Sequence, residues 1–186
     1  MNTENTFEYN SLNYKEFMKK FRKMDSSQHS LLVYAGAFTT NRKASIDELR
    51  REVIGDAVEI DLADIVTPYE EESYKNLDEC FASISDDAPL VIFRNAEQLN
   101  GVYTGFSSSI VKYASPQEKY FLRSVGKIKA PVIMEYKELD QLDRMAKRTA
   151  DAVILFKAPS SLIEKLVWKI QNVHVHGSHF LSSRPN

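Results

Sequence analysis

A single cysteine, Cys80, occurs among 186 residues, so the chain cannot close an internal disulfide and fits a reducing compartment. Long apolar runs are also missing. None approaches the roughly 20 residues that cross a bilayer, and the opening MNTENTFEYN is polar, unlike a secretory leader. These absences predict a cytoplasmic protein without a membrane partner. An excess of one charge is lacking as well: 24 Lys and Arg face 26 Asp and Glu, a formal net charge of −2. No global field therefore favours nucleic acid or an anionic surface. Beyond a recurring strand–helix unit there is no internal repeat and no low-complexity tract. What is present is ordinary for a globular domain, 43% hydrophobic and 27% charged residues, and the length suits one domain able to bury a core.

The polar residues 1–12 read as a loosely held arm. Tyr14, Phe17, Met18 and Phe21 recur at helical spacing up to Met24. Five short apolar runs then alternate with helical patterns. The first strand is Leu31–Ala35, closed by Gly36, and the second is Ala57–Ile60. The third is Pro89–Phe93, the fourth Pro131–Met134 and the fifth Ala152–Phe156. Between them, residues 37–43 read as a loop. Ser45 reads as the cap of a helix through Ile46, Leu49 and Val53, with Glu48 completing a capping box. Glu70–Ile84 carries an apolar side through Leu77, Cys80 and Phe81. Residues 100–114 form a long loop, and Ser115-Pro116 with Glu118 marks the next helix start. A helix over Leu139–Arg148 precedes the fifth strand, and a last one runs from Pro159 through Ile170. Continuous apolar strands alternating with helices predict a parallel sheet covered on both faces, a three-layer α/β architecture. In such sheets ligands sit at the carboxyl ends of the strands.

The loop after the first strand reads Gly36-Ala37-Phe38-Thr39-Thr40-Asn41-Arg42-Lys43-Ala44. A phosphate-binding loop between a strand and a helix follows G-x-x-x-x-G-K-[ST]. Its glycines let backbone N–H groups turn toward the phosphates, its lysine neutralises them and its hydroxyl holds Mg²⁺. Gly36 fits the first glycine. In one register Asn41, Arg42 and Lys43 take the remaining three positions. With one residue inserted, Lys43 becomes the lysine and Ala44 takes the hydroxyl position. Either way the magnesium ligand is missing, and the plain alternative is a basic surface loop.

The third strand runs on as Leu90-Val91-Ile92-Phe93-Arg94-Asn95-Ala96-Glu97. This stretch resembles the second nucleotide motif of AAA-type ATPases, in which apolar residues lead into Asp-Glu-Ala-Asp. Residues 58–62, 65–66, 69–72 and 75–77 are similar to the preceding region of bacterial AAA ATPases. Pro131–Met134 followed by Leu139–Asp143 is like the strand that carries the family's polar sensor and the helix after it. The likeness spans roughly residues 28–170. It implies a five-stranded parallel sheet of order 5-1-4-3-2 with helices on both sides, flanked by an N-terminal arm and helix (1–27) and a C-terminal tail (173–186). It also implies a nucleotide or anion site of Gly36, Arg42, Lys43, Arg94 and Asn95, with Arg148 near the arginine finger. The departures all fall on chemistry. Arg94 stands where the metal-binding Asp belongs and Asn95 where the water-polarising Glu belongs. Glu135 or Lys137 takes the sensor position, and no room is left for the family's helical lid. The expectation is a catalytically inactive AAA-like domain without a cofactor, which binds a protein partner or assembles with itself. The alternative is a divergent ATPase that binds ATP through Lys43 and takes its metal ligand from Asp61 or Glu97. On either reading Arg42 or Lys43 should lie near Arg94.

Other clusters read more plainly. His174, His176 and His179 lack a Cys or carboxylate to complete a metal site. Cys80 reads as core rather than as a nucleophile. Ser107–Ser109 lacks the G-x-S-x-G elbow of a hydrolase, and Trp168, Tyr120 and Phe121 read as packing.

Overall fold

The computed structural model describes residues 5–22, 29–100 and 114–157. Its elements follow in chain order as β1 (Thr6–Glu8), α1 (Leu12–Phe21), β2 (Ser30–Ala35), α2 (Thr39–Glu52), β3 (Val58–Asp61) and α3 (Glu70–Ser83). Then come β4 (Val91–Arg94), α4 (Pro116–Val125), β5 (Pro131–Tyr136), α5 (Arg144–Thr149) and β6 (Ala152–Leu155). The strands form one sheet of order β1-β6-β2-β5-β4-β3, and every neighbouring pair is parallel. The central five strands reproduce the expected 5-1-4-3-2 order. All strand ends that carry loops for chemistry therefore share one rim.

The sheet has six strands, not five. Thr6–Glu8, read from the sequence as part of a loose arm, pairs with β6 along Thr6↔Val153 to Glu8↔Leu155. Its backbone is tied at both ends, by Val153 N donating to Asn5 O (2.8 Å) and by Tyr9 N donating to Leu155 O (3.0 Å). Aromatic contacts hold it: Phe7 stacks on Phe17 at 4.8 Å and Tyr9 lies 5.0 Å from Phe156. An edge strand three residues long, with one half-buried position, carries too little apolar pattern to be read from sequence.

Alternation along the strands divides the core between two faces. Leu32, Tyr34, Ile92, Ile133, Ala152 and Ile154 face α1 and α2, where they meet Tyr14, Met18, Ile46 and Leu49. Leu31, Val33, Val91, Phe93, Val132, Met134 and Tyr136 face the other way and pack with Leu77 of α3, Phe121 and Val125 of α4, and Ala146 of α5. Phe93 and Phe121 meet edge to face at 4.8 Å, a geometry worth about 1 kcal/mol beyond the area it buries. The result is the predicted three-layer arrangement, with each β-strand of the centre covered on both sides.

Several helix starts follow their caps. Ser11 accepts from Tyr14 N at the start of α1, and Ser115 from Glu118 N at the start of α4, where Pro116 opens the helix. The single helix expected over Leu139–Arg148 is broken. A 3-10 turn, Leu139–Gln141, comes first, and α5 begins only after Asp143, whose carboxylate accepts from Ala146 N at 2.7 Å. No helix among the described residues is long and apolar enough to cross a membrane. The expected helix from Pro159, the tail with His174, His176 and His179, Trp168, Ser107–Ser109 and the space for a lid all lie outside the described residues.

Candidate functional site

Gly36 ends β2 with φ of +135°, and a Cβ there would come within 2.9 Å of the Phe156 carbonyl carbon. Its glycine character is thus explained by a sharp turn against the end of β6. The chain needs only Gly36-Ala37-Phe38 to make that turn. Helix α2 starts at Thr39, not at Ser45, with Arg42 N already bonded to Phe38 O at 3.3 Å. Two of the four spacer positions of the phosphate-loop pattern, Thr39 and Thr40, are therefore helical, and the wide loop over 37–43 does not form. Ser45 is not a cap. It is buried in mid-helix, where its hydroxyl lies 3.0 Å from Tyr14 Oη and donates to Tyr34 Oη at 3.1 Å. Burial, first of all, lifts both phenols, Tyr14 to about 12.

The early helix start decides where the two basic residues go. Lys43 is exposed on α2, whereas Arg42 is buried under it. Arg42 Nε donates to Glu135 Oε1 at 2.6 Å, and its Nη1 donates to the carbonyls of Gly36 and Tyr136. The guanidinium thus lies across the ends of β2 and β5, bonded to both. Arg94 closes β4. Phe93 is opposite Met134, which sets Arg94 level with Glu135. Arg94 Nε lies 3.8 Å from Glu135 Oε2 and pairs more closely with Glu59 of β3. Glu59 also pairs with Arg50, two turns further along α2. The outcome is an alternating chain of charges, Arg42–Glu135–Arg94–Glu59–Arg50, running under α2 from β5 to β3. Arg42 and Arg94 do approach one another, and Glu135 stands between them.

The remaining rim residues are paired in the same manner. Asn95 adopts a left-handed backbone, φ of +54°, and its Nδ2 donates to Asp61 Oδ1 at 2.6 Å. That hydrogen bond, more than the Ala63 N–H or the nearby Lys137 and Arg94, lowers the Asp61 carboxyl below its usual value. Glu97 holds Lys137 Nζ at 3.2 Å. The two carboxylates weighed as substitute metal ligands, Asp61 and Glu97, are therefore each engaged by a neighbour. No group of three or more His, Cys, Asp or Glu suited to a metal ion occurs among the described residues. Arg148 is exposed on α5. Cys80 is half-buried, and burial raises its thiol above the ordinary value, as suits an inert packing residue.

Sequence reasoning did not find Glu135 as the hub. Its signal is a charged residue in the strand Pro131–Tyr136, otherwise free of charge. Charge inside a buried strand asks for a partner, and Arg42 and Arg94 are the cations on neighbouring elements that reach it.

No family model matches the chain, and no curated protein matches it. Solved structures do. The structure of PCH-2 from C. elegans shares 17% identity over 90% of this chain and 50% of that one, with a TM-score of 0.50. The fold is that of an AAA-type ATPase domain. The E. coli MS115-1 HORMA:CdnC:Trip13 complex is similar at 17% identity, covering 81% of this chain and 58% of that one with a TM-score of 0.46. The FIGL-1 AAA domain in complex with ADP is similar at 12% identity, over 78% and 48%, with a TM-score of 0.46. The chain spans about half the length of the structures it matches. At these identities the likeness concerns the fold alone, so the chemistry of this AAA-like domain rests on its own rim residues.

Proposed function

We propose that this AAA-like domain acts without hydrolysing ATP, as a binding module for a protein partner or for further copies of itself. The observation that carries the proposal is Arg42. It occupies the position of the loop lysine in one register, and it is buried against Glu135 and the carbonyls of Gly36 and Tyr136. A cation already satisfied from within the chain has little to offer a phosphate.

Hydrolysis needs a positioned metal and a group that orients water. The hydroxyl position is Lys43 or Ala44, the metal position is Arg94, and the water-polarising position is Asn95, whose amide instead binds Asp61. Losing one such group costs on the order of 10²–10⁴ in rate. Leu12, Ile54 and Tyr69 are strongly exposed large apolar side chains, one each at an end of α1, α2 and α3.

The test is steady-state phosphate release from ATP with Mg²⁺, at low and high protein concentration, alongside ATP calorimetry with and without the metal. Light scattering over the same concentrations reports self-assembly. The expected result is no turnover and no heat of ATP binding. Turnover that Lys43→Ala abolishes would refute the proposal and leave a divergent ATPase.

A further inference from the structure

The shortest strand of the sheet is held by more than its length explains. β1 contributes three residues to the edge beside β6, and the residues around them add fitted contacts. Asn5 Nδ2 donates to the carbonyls of Ala150 (2.8 Å) and Lys147 (3.3 Å) at the end of α5, where a helix leaves carbonyls without helical donors. The Asn5 carbonyl takes the Val153 N–H. Phe7 stacks on Phe17, and the Tyr9 ring meets Phe156 at 5.0 Å and Tyr14 at 5.2 Å while its N–H reaches Leu155 O. Phe7 and Tyr9 are half-buried and alternate with exposed Thr6 and Glu8. The edge of β6, flanked by α1 and the end of α5, therefore forms a slot for an extended backbone. It fits an amide side chain at one position and aromatic rings two and four residues later, the mode in which a sheet edge takes up a strand.

A tight hinge joins that segment to the rest of the domain. Ser11 N donates to Glu8 O at 3.1 Å, closing a turn in which Asn10 is exposed and left-handed, φ of +66°. Asn takes that conformation more readily than other non-glycine residues, yet an extended backbone costs it less. Helix α1 begins at Leu12 on its own cap, Ser11 Oγ accepting from Tyr14 N at 3.1 Å, so its start does not depend on the turn. Opening the turn breaks the Ser11–Glu8 bond and leaves each slot contact free to form again with an identical segment. An empty slot is unfavourable, because Phe17, Phe156 and two carbonyls of α5 would lose their partners. Leu12, next to the hinge, is 79% exposed, an apolar side chain beside the path of the opened chain.

We propose that this slot is a self-recognition site: residues 5–9 of a second copy of this chain fill it, and two chains exchange their β1 strands about the hinge at Asn10. The proposal rests on the self-assembly arm of the function proposed above and names its surface. Each chain gives one segment and receives one, so the dimer is closed and two-fold. Its slot contacts equal those of the monomer, and two opposing effects set the balance. The monomer fills its own slot at an effective concentration of about 1 mM, as a segment on a short link does. The dimer releases the left-handed residue at two hinges. Exchange therefore rises with protein concentration, and the residue at position 10 sets the concentration at which it appears.

The experiment traps the exchange in the full chain. Glu8→Cys and Leu155→Cys place thiols at register partners on β1 and β6, and Cys80→Ser removes the single native thiol. Isotope-labelled and unlabelled chains are mixed in equal amounts at about 10 μM and about 1 mM, incubated, oxidised and digested. Mass spectrometry then asks whether the disulfide between positions 8 and 155 joins a labelled to an unlabelled chain. At the low concentration the link should lie within single chains, and at the high one the mixed share should climb toward half. In parallel, sedimentation follows the chain with its native cysteine. Asn10→Val, a β-branched residue ill-suited to the left-handed turn, should dimerise at a concentration at least about tenfold lower, and Asn10→Gly, at ease there, at a higher one. If the cysteine pair does not close, the sedimentation series decides. No mixed link at about 1 mM, no dimer in either hinge variant, or a dimer that neither variant shifts overturns the proposal. Turnover of ATP is scored separately, so a lack of exchange without turnover sinks this proposal alone, whereas turnover sinks the reading it rests on.

Discussion

Replacing Glu135 by Gln tests the rim network at its hub. The change keeps the shape of the side chain and removes its charge, so Arg42 is left buried with neutral acceptors alone, the new amide oxygen and the Gly36 and Tyr136 carbonyls. Side chains of Arg42 and Glu135 are 8% and 13% exposed, and removing one partner of a pair this buried costs about 3–5 kcal/mol. The two retained carbonyls place the expected loss at the low end, about 3 kcal/mol. Arg94 adds little to that figure, since 42% of its side chain is exposed and Glu59 remains beside it. For a chain of this size the loss lowers the melting temperature by about 6–12 °C. The urea midpoint should fall with the slope unchanged.

The same variant reads out function. With the carboxylate gone, Arg42 and Arg94 face one another across an uncharged amide, and an anion has a reason to enter. Pyrophosphate should then stabilise Glu135→Gln and leave the wild type unmoved. At a hundred times its dissociation constant it restores about 2.7 kcal/mol. The double variant Arg42→Met, Glu135→Leu removes both charges and should lie much nearer the wild type than Glu135→Gln does. A loss below about 0.5 kcal/mol for Glu135→Gln would refute the reasoning. So would equal stabilisation of wild type and variant by pyrophosphate, because the network would then not be what occupies the site.

Two further substitutions follow from the core of the same face. Gly36→Ala should cost on the order of 3 kcal/mol by thermal unfolding, from a positive φ combined with a clash against the Phe156 carbonyl; a neutral result would show that the turn relaxes. Ser45→Ala orphans the Tyr34 and Tyr14 hydroxyls and should cost about 2 kcal/mol by urea unfolding, and adding Tyr34→Phe should recover part of it.

The five apolar strands were legible because a buried strand writes its burial into successive residues, as Val91-Ile92-Phe93 does, whereas their order came from the resemblance to AAA-type ATPases. Thr6–Glu8 was not legible, because it borrows its stability from Phe17 and β6 rather than from its own pattern. The signals at Ser45 and Glu118 misled in related ways. Each fits a capping rule that depends only on local spacing. At Ser45 two buried tyrosines claim the hydroxyl. At Glu118 the backbone half of the motif forms, and the carboxyl goes to Tyr136. Local propensity is overridden where a buried polar group elsewhere needs a partner. For the rim, the resemblance assigned residues to the AAA-like positions. Their pairing depends on Glu135, whose role appears only once β5 lies between β2 and β4.

That position of β5 also bears on how the domain works. Glu135 and Tyr136 are consecutive, so they project to opposite faces of the sheet. Glu135 ties the strand end to α2 through Arg42, and Tyr136 ties it to α4 through Glu118. One dipeptide thus anchors both helical layers at the rim where ligands of such sheets bind. A site that turns over nucleotide has to exchange phosphate, metal and water there. Here the rim polar groups of Arg42, Asp61, Glu97 and Lys137 are each bonded within the chain. Opening that rim means separating the buried Arg42–Glu135 pair on one face or the buried Tyr136–Glu118 hydrogen bond on the other. Both are costly in a low-dielectric interior. A rim held from both sides suits the proposed domain, one that presents a fixed surface rather than one that cycles.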